Sequence, residues 1–185
     1  MRGSHLPLRA LAAVLVCAAT SLASSGRAQP LNPVPSGDRA KALIVANFAH
    51  FARWPASAFE RDSDSLRLCV VQRSRSLATA FQALDGRRVG TRTLRVVLEP
   101  AHNAAGCHLL FVHESAGPAA PAAIAATTEP TLTIGDFDGT LARGGMVELV
   151  LVNDALRFDV DLTALRERQL SLSSEVLRLA RQTRP

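Results

Sequence analysis

The sequence lacks the motifs of the common enzyme classes. Its 185 residues contain no G-x-S-x-G elbow, no P-loop and no G-x-G-x-x-G fingerprint, the motifs that supply the serine nucleophile or the phosphate-binding glycines of many enzymes. The three cysteines, Cys17, Cys69 and Cys107, form no C-x-x-C pair, which excludes the usual dithiol redox motif. No nucleophile–base pair emerges either. We therefore expect a protein that is not an enzyme and carries no cofactor.

Metal-binding patterns are also missing. His108 and His113 bracket one predicted strand, and their spacing places them on opposite faces, so they cannot easily share a metal. The run G-D-F-D-G at 135–139 has the look of a calcium loop but lacks the later glutamate of that motif. We interpret the histidines as surface or core-edge residues and Asp136 as the cap of a following turn.

The longest apolar run is too short to span a bilayer. It lies within residues 1–28, which contain three arginines and no acidic residue and end in small residues that suit a cut after about Ala28. This three-part layout predicts a secretory signal peptide over 1–28, with an uncleaved N-terminal anchor as the alternative. The mature chain is then periplasmic and does not insert into the membrane.

Removal of the signal changes the charge balance. The whole chain carries 21 basic and 16 acidic residues, a formal charge of +5 and a pI near 10.3, which alone would suggest nucleic-acid binding. Without the three arginines of residues 1–28, 18 basic residues face 16 acidic ones, a charge of +2, and Lys41 is the sole lysine. We therefore expect no nucleic-acid partner.

Two cysteines remain after cleavage, Cys69 and Cys107. An even number in an exported chain predicts a disulfide, and both lie at or near predicted strands. The alternative is two buried free thiols.

The mature chain alternates between predicted strands and helices. A proline-rich leader covers 29–37, and one domain covers 38–185. We predict helices at 38–53, 76–84, 118–126, 163–168 and 173–182, and strands at 66–71, 94–98, 108–112, 131–134, 146–152 and 155–162. Strand–helix–strand occurs twice, which favours parallel crossovers, and Asn153-Asp154 predicts a hairpin turn. The fold class is α/β: a single-domain layered sandwich with a mixed β-sheet, flanking helices and a C-terminal β-hairpin.

Two apolar patterns bear on the core. Apolar and charged residues alternate on the last strand: Leu156, Phe158 and Val160 with Arg157, Asp159 and Asp161. One face should therefore pack against the core, and the other should be exposed to solvent. On the first helix, Ile44, Phe48 and Phe51 form one stripe. We interpret this stripe and the nearby Trp54 as anchors of the helix on the sheet; the alternative is that Trp54 lines a partner or ligand surface.

Seven short segments of the mature chain carry a further pattern. They are K-A at 41–42 with N-F-A-H-F-A-R-W-P at 47–55, L-R-L-C-V-V at 66–71, L-D-G-R-R-V at 84–89, A-G-C-H-L-L-F-V at 105–112, L-T-I-G-D at 132–136 with G-G-M-V at 144–147, L-R-F-D-V-D-L at 156–162, and L-S-S-E-V-L-R-L-A-R at 172–181. In this order they resemble the YfiR family, whose first helix has the form F-x-x-F-x-x-W-P.

The resemblance implies an α/β sandwich, a homodimer, a disulfide between Cys69 and Cys107, and binding rather than catalysis. Proteins of this family restrain the periplasmic sensory domain of an inner-membrane diguanylate cyclase of the YfiN type. Envelope or redox stress releases the cyclase, which raises cyclic di-GMP and promotes biofilm formation.

The chain departs from the family in two places. The second cysteine pair of some members is missing around the Gly144–Met146 bend, and Glu148 stands where the family commonly has asparagine. A redox response would therefore rest on one bridge. Family members bind small nucleotide-like or indole-like ligands, but no motif transfers such a site, so the ligand is unknown.

We expect the partner contact at the hairpin and the last two helices, where apolar and arginine residues mix as at interface centres. In this hypothesis Phe158 and Val160 pack, while Arg166, Arg168 and Leu170 present outward. The alternative function is a periplasmic small-ligand binder, or an accessory protein of another sensor or of an outer-membrane receptor system.

Overall fold

A computed structural model describes residues 37–59, 64–98 and 105–185 of the chain. The predicted signal peptide and the leader up to residue 36 lie outside these residues, as does His102. The α-helices are α1 Gly37–Phe51, α2 Arg75–Gln82, α3 Ala119–Ala125, α4 Leu162–Glu167 and α5 Ser174–Leu177. The strands are β1 Ala52–Arg53, β2 Ser65–Val71, β3 Arg88–Val89, β4 Arg92–Leu98, β5 Leu109–Val112, β6 Leu132–Gly135, β7 Val147–Val152, β8 Ala155–Asp161, β9 Ser171–Leu172 and β10 Gln182–Arg184.

Eight of these strands form one mixed sheet in the order β10-β8-β7-β6-β5-β2-β4-β3. The neighbours from β4 to β7 pair in parallel, whereas β3–β4 and β7–β8 are antiparallel. Both predicted crossovers are confirmed, since α2 connects β2 to β4 and α3 connects β5 to β6. The α/β fold with a mixed sheet and flanking helices is therefore as predicted.

Each face of the sheet has its own core. Alternate residues of the central strands pack on one side against α1, α2 and the C-terminal elements, where Phe81 and Phe111 lie 5.1 Å apart between ring centroids. The other residues pack against α3, where Leu110 and Val112 meet Ile124. Strands covered on both faces require continuous apolar runs, which explains why every residue of β5 is buried.

The predicted hairpin is present. Asn153 and Asp154 connect β7 to β8 with φ values of 49° and 60°, the left-handed conformation that a two-residue type I′ turn requires and that asparagine and aspartate tolerate. One residue differs from the prediction. Asp159 was expected on the solvent-exposed face of β8, but it is 3% exposed. It is buried because Arg181 covers it with two hydrogen bonds.

The C-terminal helix is shorter than predicted. It ends at Leu177 instead of residue 182, and Gln182–Arg184 form β10, which pairs in parallel with β8. The change occurs where the backbone N–H of Arg181 bonds to the carbonyl of Phe158 at 2.8 Å. Strand β8 would otherwise have an open edge, and the pairing with β10 satisfies it.

The first helix also ends early. Ala52–Arg53 leave α1 and pair with Ser171–Leu172 as a separate two-stranded sheet. Pro55 follows two residues later and disfavours helical geometry just before it. The short sheet fixes the end of α1 against the segment between α4 and α5.

Candidate functional site

An apolar groove lies between α1 and the C-terminal residues. Phe158 of β8 packs edge-on against Phe48 of α1, with 5.1 Å between ring centroids. Leu179, just after α5, is 70% exposed. The groove has a volume of about 160 Å³ and is lined by Ile44, Asn47, Phe48, Phe51, Phe158, Val176 and Leu179. A concave apolar surface beside an exposed leucine is typical of a protein-binding site.

Four of the five residues predicted for partner contact do not line this groove. Phe158 does line it, and Val160 is fully buried beneath. The prediction that Leu170 presents outward is wrong, because it is 4% exposed and belongs to the main core. Its N–H bonds to the carbonyl of Leu165 at 2.9 Å, which turns the chain back onto the domain after α4.

The two predicted arginines lie away from the groove. Arg166 is exposed on α4 and donates to the Thr163 hydroxyl at 3.0 Å. Arg168 is half-buried and donates to the carbonyl of Glu129 at 3.4 Å. The groove is instead completed by the α1 stripe, by Val176 and by Leu179. The helical spacing of Ile44, Phe48 and Phe51 marked this stripe, whereas nothing in the sequence linked it to Leu179.

An ion pair fixes the C-terminal wall of the groove. Arg181 Nε donates to Asp159 Oδ1 at 2.9 Å, and a second guanidinium nitrogen donates to Oδ2. The hydrogen bonds from Arg181, and then the charges of Asp159 and Glu148, raise the pKa of the guanidinium above its ordinary value despite the opposing desolvation. The bidentate pair holds Arg181, and with it the chain after Leu179, on β8.

The predicted disulfide between Cys69 and Cys107 is confirmed. Their Cα atoms are 5.9 Å apart, a usual separation for a disulfide. Cys69 lies within β2 and Cys107 just before β5, and both side chains are buried in the core on the α3 side. The bridge spans 38 residues of sequence and stabilises the fold by about 4 kcal/mol in the loop-entropy model.

A buried charged cluster joins α1 to the carboxyl ends of β5 and β6. Lys41 Nζ is 2.7 Å from Asp136 Oδ2 and 3.3 Å from His113 Nε2. His113 Nε2 is also 3.3 Å from Asp136 Oδ2, and the Asp136 side chain is 2% exposed. His113 and Asp136 directly follow parallel neighbouring strands, which brings them together at one edge of the sheet.

The sequence patterns did not indicate this cluster. His113 was predicted at the surface or core edge, and it is buried. Asp136 was predicted to cap a following turn. Instead, its Oδ1 accepts a hydrogen bond at 2.8 Å from the N–H of Glu114, in the loop after the neighbouring strand β5. The available signal was a polar residue directly after each of two buried strands, together with the single lysine of the chain.

An open cleft borders the end of α1. Trp54 donates from Nε1 to the carbonyl of His108 at 3.0 Å, Phe59 stacks on the His108 ring at 4.6 Å, and Arg92 lies 3.6 Å over the Phe59 ring. The Arg92 Nε is buried and has no hydrogen-bond partner among the described residues. The cleft has a volume of about 690 Å³, and Trp54, Phe59 and Arg92 all line it.

Within the described part of the chain, no group of three metal-ligating side chains comes together. No helix there has the length and apolar character needed to cross a membrane.

The fold and the groove define a mixed α/β domain with a surface suited to binding. A family model described as YfiR/HmsC-like matches residues 38–181, and the chain belongs to this family, the one that its seven segments resemble.

Comparisons with curated proteins and with solved structures do not identify a function. No curated protein matches the chain. Among solved structures, it is similar to a conserved domain protein from Vibrio cholerae O1 biovar El Tor strain N16961, with a TM-score of 0.46 and 11% identity over 69% of this chain. The match spans 58% of that protein's length.

The Lys41 cluster predicts a large stability effect. Lys41→Met should lower the free energy of unfolding by about 2–4 kcal/mol, because it leaves the buried Asp136 carboxylate without its closest cation. Urea titration measures the change. Arg39→Met, an exposed position on the same helix, is the matched control and should change stability by less than about 0.5 kcal/mol. Equal effects of the two variants would contradict a structural role for the cluster.

The disulfide predicts a clear alkylation result. Denatured mature protein should take up no alkylating agent before reduction and two equivalents after it, as measured by mass spectrometry. The double variant Cys69→Ala/Cys107→Ala should lose about 2–4 kcal/mol of stability, because the unfolded chain is no longer cross-linked. Labelling of both cysteines without a reductant would exclude the bridge.

Proposed function

We propose that this chain is exported to the periplasm and holds the sensory domain of an inner-membrane diguanylate cyclase inactive until envelope or redox stress releases it. Membership of the YfiR/HmsC-like family supports the class of partner. The observation that supports a binding site for this partner is the apolar groove with Leu179 exposed at its rim.

The groove supports this proposal because of how it combines shape and exposure. Phe48, Phe158 and Val176 form an ordered apolar floor, since their other faces belong to the core. Leu179 protrudes beside it, so a partner could insert an apolar side chain and also cover Leu179. Interface energy concentrates in such apolar anchors with a polar rim. Of the residues predicted for partner contact, Phe158 lines the groove, whereas Arg166 and Arg168 lie away from it.

The disulfide supports a stress response that acts through stability. Cys69 and Cys107 are 0% and 4% exposed, so a reductant reaches the bridge mainly when the domain opens locally. A domain destabilised by envelope stress therefore becomes reducible, and its reduced form is less stable still. In this proposal one bridge is enough to couple redox state to release of the cyclase. The homodimer implied by the family stays a prediction.

The groove can be tested in a strain that lacks the chromosomal gene. Wild-type protein supplied from a plasmid should restore low cyclic di-GMP, whereas Leu179→Arg should leave it at the elevated level of the deletion strain, because a charge at the rim cannot be buried against an apolar partner. Cyclic di-GMP is measured by mass spectrometry of extracts, and biofilm mass follows it.

The matched control is Ala122→Arg on α3, an exposed position on the opposite side of the sheet from the groove. It should repress as wild type does. Both variants are exposed substitutions, so equal periplasmic amounts and unchanged thermal midpoints are expected and checked. Unchanged cyclic di-GMP on deletion, in a strain that expresses a YfiN-type diguanylate cyclase, would reject the cyclase as partner.

The open cleft favours a second function, binding of a small anionic aromatic molecule. The buried Arg92 Nε without a described partner and the Phe59 and Trp54 rings offer a charge and apolar faces to one ligand. The cleft volume of about 690 Å³ lies within the usual range for ligand sites.

Anilinonaphthalene sulfonate, an aromatic anion, is a suitable probe for the cleft. Arg92→Gln should weaken its binding, measured by fluorescence titration, by about tenfold, the loss expected of one charge-assisted contact. Arg95→Gln is the control on the same strand, since Arg95 does not line the cleft, and it should bind as wild type does. Equal affinity of wild type and Arg92→Gln would exclude the cleft as an anion site.

A further inference from the structure

Charge is distributed unevenly along the mature chain. Residues 38–104 contain 11 basic and 6 acidic residues, a net charge of +5, whereas residues 105–185 contain 7 basic and 10 acidic residues, a net charge of −3. The near-neutral total of the mature chain therefore hides two halves of opposite sign.

The sheet topology turns this sequence asymmetry into a spatial one. Strands β2, β4 and β3 come from the basic half and occupy one end of the sheet, while β6, β7, β8 and β10 come from the acidic half and occupy the other. Helix α2 lies over β4 at the basic end. The domain thus has a positive end and a negative end along the direction of strand order.

We call the exposed arginines on and between β2, α2, β3 and β4 the basic edge: Arg73, Arg75, Arg87, Arg88 and Arg95. Arg95 is 3.9 Å from Asp85, and Arg88 donates to the uncharged groups of Thr91 and Thr93. Among the described residues, no carboxylate pairs with Arg73, Arg75 or Arg87. These guanidinium groups are therefore available to an external anion.

The basic edge covers both sides of the sheet. Arg87 lines a shallow groove beside α2 with Leu84, on the side of the main core. Arg95 is exposed on β4 next to Leu94, which is buried in that core, and since side chains alternate along a strand, Arg95 points to the opposite side. Charges that wrap the end of a sheet suit an extended anionic surface better than a single small anion.

The basic edge lacks the apolar anchors of a protein interface. The large hydrophobic residues that are exposed in the described part of the chain are Leu151, Val152 and Leu179. All three belong to the acidic half. Protein interfaces draw most of their energy from buried aromatic and aliphatic anchors, whereas a charged lipid surface requires only exposed cations.

We propose that the basic edge docks this protein on the anionic phospholipid headgroups of the periplasmic face of the inner membrane. The binding is electrostatic and peripheral, with the negative end of the domain directed away from the lipid. The proposal requires the periplasmic location that belongs to the proposed function, but it does not require a cyclase.

Vesicle co-sedimentation of the mature protein purified from the periplasm tests the proposal. The probes are vesicles of phosphatidylcholine alone and of phosphatidylcholine with about 30 mol % phosphatidylglycerol, each at about 20 mM and about 300 mM NaCl, since salt screens such binding. We expect binding to the mixed vesicles at low salt, little at high salt, and none to phosphatidylcholine alone.

Two triple variants of equal charge separate the basic edge from net charge. Arg73→Gln/Arg75→Gln/Arg87→Gln should reduce binding by about tenfold or more, because each basic side chain near an anionic lipid surface adds to the attraction. Arg157→Gln/Arg178→Gln/Arg184→Gln removes three exposed arginines from the other half and should reduce it less than about twofold.

Three results would overturn the proposal. Binding that ignores phosphatidylglycerol, equal losses in the two triple variants, or salt-sensitive self-association without vesicle binding would each do so. The last would mean that the basic edge meets the acidic half of a second copy. Because the vesicles contain no partner protein, failure here leaves the cyclase proposal standing, and loss of cyclase control in cells leaves membrane docking standing.

Discussion

Strand β5 is the element on which the rest of the structure depends. All four of its residues are buried, and it pairs in parallel with β2 on one side and β6 on the other. Leu109 and Phe111 face the main core, while Leu110 and Val112 face the α3 core. The disulfide joins β2 to the chain just before the first residue of β5. The Lys41 cluster forms just after the last residue of β5. The removal of any of these contacts loosens two cores at once, because both are built on the same strand.

The sequence predicted the parts of this fold that rest on local pattern. The apolar run of β5, the turn residues Asn153 and Asp154, and the strand–helix–strand order each have a short-range cause, so the central sheet and the hairpin follow from them. The disulfide could be predicted because the two cysteines outside the predicted signal peptide leave one pairing.

What could not be predicted depends on contacts between distant segments. Strands β1, β9 and β10 have two or three residues each, too few for any periodicity, and they exist because a neighbouring strand or helix end offers free hydrogen-bonding groups. The residues after Leu177 have a helical pattern, yet Arg181 forms an ion pair with the buried Asp159. This tertiary contact overrides the local preference for helix. For the same reason the sequence predicted only part of the groove. The apolar stripe of α1 is periodic, whereas Leu179 reaches the groove only because the C-terminal segment folds back onto β8.

The positions of the groove and the disulfide limit how one can affect the other. The groove lies on the main-core side of the sheet, and its C-terminal wall is held by Arg181 on β8. The bridge lies in the α3 core, four strands away in the sheet order from β8 to β2. Loss of the bridge therefore changes no contact in the groove directly. It can alter partner binding only by weakening the pairing of β2 with β5, and so lowering the stability of the sheet that carries both. In such a domain, redox state acts on the population of folded molecules and not on the shape of the binding surface. Under the proposed function, anything that unfolds the domain would release the partner, which suits a sensor of general envelope stress better than a sensor of one oxidant.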